Sequence, residues 1–512
     1  MVRNSEENGG GESGLGRWIG VKNTTPFLTG FSTLLSGSCK RSTQAILSEA
    51  RRDLLHGGID LQRQFRNEID PALLEEFSST ERVRDYPDPL VFWAFLFQVS
   101  HDDSSCANAV SQVQQWAKRA GLPVPSANTG AYCTARSGLP EEMLRAVHRS
   151  LCRQLDANLP EKMRWRGLRP LAEDGSSAQA PDTDANRAVW PYPAGQSEGC
   201  GMPVVRLGGL VDLSHGGLHD FAHSDLDTSE LRAHEKLQND YIGKGDVLIA
   251  DRLYSGYEVI AGLLGKGAHF IGRVHQARKV DFRRGRRVGP DERIVAWKKP
   301  RQAPKGSRLG PEAWEALPDT LEVRIIRCQG PDREGKNRVR YVVTTLLDAE
   351  AYPSEEVASL YLHRWEIEVR FRDIKTILGM ELLRTKSPEM VRKEILMHMI
   401  FYNLIRLLML KAGSTHHVNH RRLSFRGVQQ ALHACRSGFA DLGGRPEKWK
   451  QATAQMWERI AERIVIERPG RNEPRRVKRR PKCTRWMQKP RQEYFEHFRS
   501  EDPPTKILDD LA

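Results

Sequence analysis

The sequence contains no Cys-x-x-Cys pair. Its eight cysteines, Cys39, Cys106, Cys133, Cys152, Cys200, Cys328, Cys435 and Cys483, are scattered over 512 residues. That argues against a zinc framework or a disulfide scaffold and fits a reducing compartment. A long apolar run is also missing. The most apolar stretch, Ile395 to Leu410, is broken by His398, Asn403 and Arg406, so it is read as a buried helix rather than a bilayer span. The opening residues, Met1-Val-Arg-Asn-Ser-Glu-Glu, are polar and hold no apolar signal core, which leads to the expectation of a cytoplasmic chain. No internal repeat is visible. Acids are in deficit, 65 Asp and Glu against 79 Lys and Arg, for a net charge of +14. A polyanion is the partner such a balance favours. The length allows two or three domains with cores of their own.

What is present is concentrated in one stretch, Tyr361-Leu-His-Arg364-Trp365-Glu-Ile-Glu368-Val-Arg-Phe-Arg-Asp-Ile-Lys375. Pro353 and Ser354 with Glu355 and Glu356 form a helix start, and Gly379 a stop. On a regular helix of about 100° per residue, Tyr361, Arg364, Glu368 and Lys375 fall within about 60° of each other. Leu360, Ile367, Phe371, Ile374 and Leu378 form an adjacent apolar stripe. A partly buried Glu with cationic neighbours suits work on a phosphodiester, the acid for a divalent metal and the cations for phosphate oxygens. By geometry alone, the commoner arrangement is the solvated flank of an amphipathic helix. The spacing adds to this. Tyr361, Arg364, Glu368 and Lys375 match at every gap the Y-R-E-K signature of the DDE transposases of the insertion-sequence "IS-four" type, and the chain resembles that family over about residues 166 to 410.

Upstream, the period changes to that of strands. Leu168 to Glu173 reads as a strand ending in the turn Asp174-Gly175-Ser176-Ser177. Val204 to Leu213 and Gly217 to His223 read as two more, Asp227 to Asn239 as a helix, Asp246 to Asp251 as a buried strand, Ser255 to Gly265 as a helix and His269 to Arg273 as a strand. Three strands, helix, strand, helix, strand is the order of a ribonuclease H-like domain. Two-metal chemistry needs carboxylates from separate elements to converge, and acids at strand ends can point outward while the strand fixes the backbone. Asp174 and Asp251 suit that need, although Asp-Gly is a common turn dipeptide and Asp212 and Asp220 compete for the first position.

The resemblance agrees with this pair, because the family carries its first acid in Asp-Gly-(Ser/Thr) and its second in a hydrophobic strand running into Asp-Arg, here Asp251-Arg252. It implies that Asp174, Asp251 and Glu368 hold two Mg²⁺ ions, with Mn²⁺ able to substitute. Arg364, Lys375 and Tyr361 would hold phosphates of double-stranded DNA, at transposon ends and target, in a homodimeric synapse. The expected outcome is cut-and-paste transposition through hairpin ends. A nuclease of the same fold and an inactive DNA-binding descendant are the alternatives. Hairpin-forming members hold a flipped base with tryptophans, one directly after the motif's Arg. Trp365 stands there, and an aromatic face offers about 1–3 kcal/mol per extruded base. Trp297 is the expected second aromatic, although a tryptophan is more often core.

The flanks complete an α/β chain. Residues 1–30 are Gly- and Ser-rich, and 31–165 read as a helical DNA-binding domain in which Ser104-Ser105 and Ser126 open two helices around Gly121-Leu-Pro-Val-Pro. A ribonuclease H-like catalytic domain occupies 166–274 and 351–411, split by a β-rich, basic insertion at 275–350 with Arg283, Arg284, Arg286 and Arg287. Residues 412–512 read as helical and basic. His416, His417 and His420 lack a Cys or acid to complete a metal set. From Arg468 to Arg491, eleven Lys and Arg face the single acid Glu473, and the core Arg475, Arg476, Lys478, Arg479 and Arg480 is expected to contact phosphates.

Overall fold

Five consecutive residues, Asp246–Ala250, are buried, the pattern of a strand covered on both faces. In the computed structural model this strand, β4, lies inside a nine-stranded sheet. The structure describes residues 60–78, 85–193, 196–197, 199–225, 228, 230–304, 307–331, 337–439, 446–466, 489–490 and 493. The other strands are β1 (Arg169–Gln179), β2 (Val204–Asp212), β3 (Leu218–Ser224), β5 (His269–Arg273), β6 (Arg286–Gly289), β7 (Glu292–Lys298), β8 (Thr320–Pro331) and β9 (Asn337–Thr344). Their order is β3-β2-β1-β4-β5-β9-β8-β7-β6. β1, β4 and β5 run parallel. Helices Glu230–Tyr241 and Tyr257–Gly265 make the crossovers on either side of β4, because a parallel pair cannot be joined by a hairpin.

The basic segment expected as an insertion is not a separate body. Its strand β9 pairs antiparallel with β5, Ile271 opposite Thr344 and Arg273 opposite Val342, and β8, β7 and β6 follow. One hydrogen-bonded ladder therefore runs from β3 to β6.

The chain divides into two compact units. One holds the described residues up to Gln98, with Ser105–Leu139 and Gln430–Arg459; the other holds Val99–Ser104, Pro140–Gln429 and the described residues from Ile460. In the first unit, helix Asp88–Ser100 supplies the fully buried Phe92, Trp93 and Phe95. Trp449 Nε1 donates to Arg63 O at 3.1 Å and Gln64 Nε2 to Leu432 O at 3.0 Å, so Gln430–Arg459 belongs to this unit. Helices Cys106–Arg119 and Gly130–Gly138 flank the turn at Gly121. The second begins later than Ser126, because Ser126 Oγ and Asn128 Oδ1 accept from Asn128 N and Gly130 N and hold local turns instead.

In the second unit, helix Pro388–Thr415 is longer than the apolar run suggested. It is long and apolar enough to cross a membrane, but 94% of its apolar window is buried inside the protein. Helix Glu141–Asn158 packs along it. Asn403 and Arg406, which interrupt its apolar run, and Glu394 just before that run have partners. Asn403 brackets Leu218 at the start of β3, accepting from its N–H at 2.9 Å and donating to its carbonyl at 2.8 Å. Arg406 Nε and Tyr402 OH donate to Gly216 O at 3.1 and 2.7 Å. Glu394 accepts from Arg384 N, Thr385 N and Thr385 Oγ1. The one long helix thus fastens the β2–β3 turn by hydrogen bonds that its burial makes costly to break.

Burial pushes His219 and His420 down to about 4 and His398 down to about 3, from an ordinary 6.5. The folded state holds them unprotonated, whereas the unfolded chain takes up their protons from about pH 6.5 downward. Their contribution is complete above pH 6.5 and is lost as pH falls toward 4. Thermal denaturation at pH 7.5 and pH 5.0 checks this. The melting temperature should be lower at pH 5.0, and an unchanged value would refute the assignment.

Candidate active site

Asp174 lies inside β1 rather than at its end. Gly175, Ser176 and Ser177, expected as a turn, pair with Gly208, Leu207 and Arg206 of β2. The strand continues because its antiparallel partner outlasts its parallel one, and that pairing is invisible locally. On the other edge, β1 and β4 pair in register as far as Ala172 and Ile249. Two residues further along the chain come Asp174, still within β1, and Asp251, just past the end of β4, so the two aspartates stand at the same level beyond the parallel pairing. Asp251 caps the 3₁₀ turn Arg252–Tyr254, accepting from Leu253 N at 2.7 Å.

The Y-R-E-K segment is not one uninterrupted helix. Tyr361 lies on helix Ser354–Leu362, Arg364 and Trp365 on the 3₁₀ turn His363–Trp365, Glu368 on helix Glu366–Arg372, and Lys375 in the π-turn Asp373–Ile377. The angular spread of a regular helix therefore does not apply. The break has a tertiary cause. Asp373 is buried, with Arg370 and Arg372 within 4 Å and the buried Arg406 acting on its charge. Glu366 is held by His363 Nδ1 at 2.7 Å, Arg370 Nη2 at 3.1 Å and Arg421 Nη2 at 2.6 Å. Burial opposes the Glu366 charge, but Arg421, Arg370 and His363 outweigh it and keep the carboxyl below the usual range.

This anchoring brings Arg364 across to the sheet. Its Nη1 donates to Asp174 Oδ2 at 2.7 Å, and its Nη2 lies 3.6 Å from Glu368 Oε1. Gly175 N donates to Asp174 Oδ1 at 2.9 Å. Even so, burial pushes the Asp174 carboxyl up, and Glu230 and Asp251 add to the rise against the pull of Arg364. Burial prevails here, since one guanidinium shared between two carboxylates neutralises neither fully. Burial works against the Arg364 charge, but Asp174, Tyr361, Glu368 and Asp251 together hold it above its ordinary range. Burial raises the Tyr361 hydroxyl, while Arg364 and Arg273 draw it down. Glu368 is the open member, with its side chain 60% exposed against 24% for Asp174. Asp174, Asp251 and Glu368 offer carboxylate oxygens from three elements, the donor type a divalent cation takes, but among the described residues they are not a group whose ligand atoms all lie within 4.8 Å of one another.

The remaining expected residues separate. Trp365 is 54% exposed beside Arg364. Trp297 is 5% exposed, packed in the core, with the Arg278 guanidinium 3.7 Å over its ring. It has no open face for a base, and β7 turns it inward. Arg252 is exposed and donates to Gln276 Oε1 at 2.9 Å. Asp212 is fully buried beside His215, and Asp220 accepts from Tyr241 OH at 3.0 Å. Arg475, Arg476, Lys478, Arg479 and Arg480 lie outside the described residues. Glu230 and Arg273, which act on Asp174 and Tyr361, were not singled out in the sequence. Neither carries a local signal.

Among the described residues, one cluster has ligand atoms within 4.8 Å of one another: Asp156, Asp212 and His215. His215 Nε2 lies 3.3 Å from Asp156 and 3.5 Å from Asp212. Its Nδ1 accepts from Gly217 N at 2.9 Å, which puts the ring proton on Nε2, between the carboxylates. A metal there would need the lone pair that this proton occupies. Hydrogen bonding accounts for the cluster better than coordination.

Two glycines of β2 let the flanking helices reach the sheet. A Cβ at Gly209, opposite Asp174, would stand 2.6 Å from the ring of Phe371 on the Glu366–Arg372 helix and 2.8 Å from that of Phe221. A Cβ at Gly208 would overlap the His234 ring on the other face. Gly209→Ala should force the Glu368-bearing helix outward and lower stability by about 1–3 kcal/mol. Urea denaturation measures this, and wild-type stability would refute the close packing.

Residues 165–404 match a family described as a transposase DDE domain. The transposase InsG for insertion sequence element IS4 of Escherichia coli K12 is 28% identical over 347 residues, 67% of this chain and 74% of that one. The putative transposase InsL for insertion sequence element IS186A of the same organism is 30% identical over 82 residues, 16% of this chain and 20% of that one. Among solved structures, a piggyBac transposase synaptic complex with hairpin DNA aligns at a TM-score of 0.39 and 9% identity, covering 81% of this chain and 87% of that one. With the Y-R-E-K segment joined to Asp174, the match of residues 165–404 and the InsG similarity, this part of the chain is similar to the DDE transposases of the IS4 type.

Proposed function

We propose that this chain is a DDE transposase that excises and inserts its element by phosphoryl transfer at Asp174, Asp251 and Glu368, on a ribonuclease H-like arrangement of β1–β5. The observation that carries the reading is the bond of Arg364 to Asp174, with Glu368 3.6 Å from the same guanidinium and Asp251 just past the end of the strand beside β1. Two divalent ions held by these carboxylates, Mg²⁺ with Mn²⁺ able to substitute, would supply activation of a water or 3′-hydroxyl and stabilisation of the departing 3′-oxygen. The chain's own residues do the rest. Arg364 and Lys375 bind phosphate oxygens beside the scissile bond, and Tyr361 donates a hydrogen bond to one of them. Trp365, open on its 3₁₀ turn, stacks on a base extruded at a hairpin end. Action on two ends of one element calls for two copies of the chain on double-stranded DNA.

Glu368→Gln should lower Mg²⁺-dependent cleavage of DNA carrying the element's ends by on the order of a thousandfold while DNA binding persists. Equal cleavage by both proteins would remove Glu368 from the site. Cleavage without joining would favour a nuclease, and no cleavage by either protein an inactive descendant.

The exposed arginines around the β6–β7 hairpin, Arg283, Arg284, Arg286 and Arg287, form a phosphate-contacting edge in this reading. Replacing all four with Ala should make the slope of log Kobs against log salt concentration shallower by about 2–4, close to 0.9 for each phosphate that is no longer neutralised. A slope unchanged from wild type, measured by fluorescence anisotropy, would place the DNA elsewhere.

A further inference from the structure

Behind the carboxylates, on the opposite face of the sheet, lies a buried polar chain. Glu173 and Asp174 are consecutive residues of β1 and so point to opposite faces. Glu173 is fully buried, and its Oε2 accepts from Gln238 Nε2 at 2.6 Å. Its Oε1 lies 3.2 Å from His234 Nδ1. The same Nδ1 lies 2.5 Å from the hydroxyl of Tyr254, which is also fully buried. Tyr254 OH donates to Glu230 Oε1 at 2.9 Å. With its proton given to Glu230, the hydroxyl oxygen accepts from His234, so the ring carries its proton on Nδ1. Nε2 then faces the space left by Gly208, buried and without a partner among the described residues.

The connectivity gives the chain its meaning. Glu173 adjoins Asp174. Tyr254 closes the 3₁₀ turn that Asp251 caps. His234, Gln238 and Glu230 belong to one helix, Glu230–Tyr241. That helix therefore grips both segments that carry the aspartates, β1 through Glu173 and the turn after β4 through Tyr254. Backbone pairing between β1 and β4 stops at Ala172 and Ile249, so no ladder bond holds the turn at the level of the carboxylates.

We propose that His234 and Tyr254 are positioning residues that set the separation of Asp174 and Asp251, and with it the affinity of the site for its divalent ions. The inference rests on the three-carboxylate reading above. Outer groups that orient ligands commonly change metal affinity by 10–100-fold when removed.

The test titrates the full-length chain with Mn²⁺ alone, reading free Mn²⁺ by electron paramagnetic resonance, beside melting temperature without metal and the DNA cleavage rate. Tyr254→Phe removes one oxygen and should shift the melting temperature by no more than about 4 °C. Its Mn²⁺ midpoint should rise about tenfold, and its cleavage rate at saturating DNA should fall by a similar factor with DNA affinity unchanged. His234→Ala should repeat the Mn²⁺ effect. His234→Asn, which keeps a donor at the δ position, should recover most of it. Mn²⁺ midpoints and rates within twofold of wild type in both Tyr254→Phe and His234→Ala would overturn the inference. Asp174→Asn separates the two levels: lost Mn²⁺ binding leaves the three-carboxylate reading standing whatever Tyr254→Phe does, and wild-type binding overturns both.

Discussion

The bond between Arg364 and Asp174 joins two parts of the chain that are 190 residues apart. Most of what surrounds it serves that meeting. β2 keeps β1 straight past the point where β4 leaves the sheet. Gly209 admits Phe371 to the sheet surface. Glu366, with His363, Arg370 and Arg421 around it, holds the helix that carries Glu368. A partly buried charged pair of this kind contributes little net stability, because desolvation offsets its attraction. Its value is registry: it fixes which turn of the Y-R-E-K segment faces which strand.

Much of this could be read from residues alone, and the limits have physical causes. β4 was legible because a short apolar run ending in Asp-Arg is a strong local signal. The Y-R-E-K spacing was legible because four residue types stand at three fixed gaps. The breaks in that segment were not, since they come from bonds made by Asp373 and Glu366 to residues far away in sequence. The continuation of β1 through Asp174-Gly175 was hidden for the same reason. A Gly in such a place signals a turn unless a partner strand supplies the ladder. Trp297 illustrates a different limit: an aromatic suited to stacking on a base is equally suited to a core, and only burial separates the two.

The buried Glu173, His234 and Tyr254 left no trace in the sequence. They sit on a strand, a helix and a 3₁₀ turn with no common spacing. Most of their polar atoms are satisfied by one another, and such networks specify geometry more than they add stability. The same logic runs along helix Pro388–Thr415. Asn403, Arg406 and Glu394 look like interruptions of an apolar run, yet they are the residues through which the helix holds loops of the sheet. A helix of leucines would pack as well but would not dictate where β3 begins.

The continuous sheet has a consequence for how such a chain can diversify. Because β9 pairs with β5, the basic segment between β5 and the Y-R-E-K helix is not a cassette that recombination can drop out. Its removal would strip β5 of its outer neighbour and leave a parallel, apolar edge open to pairing with other chains. The far hairpin, where β6 is short and arginine-rich, can be lengthened or recoloured without that cost, whereas β9 goes with the strands that lead to Asp174 and Asp251.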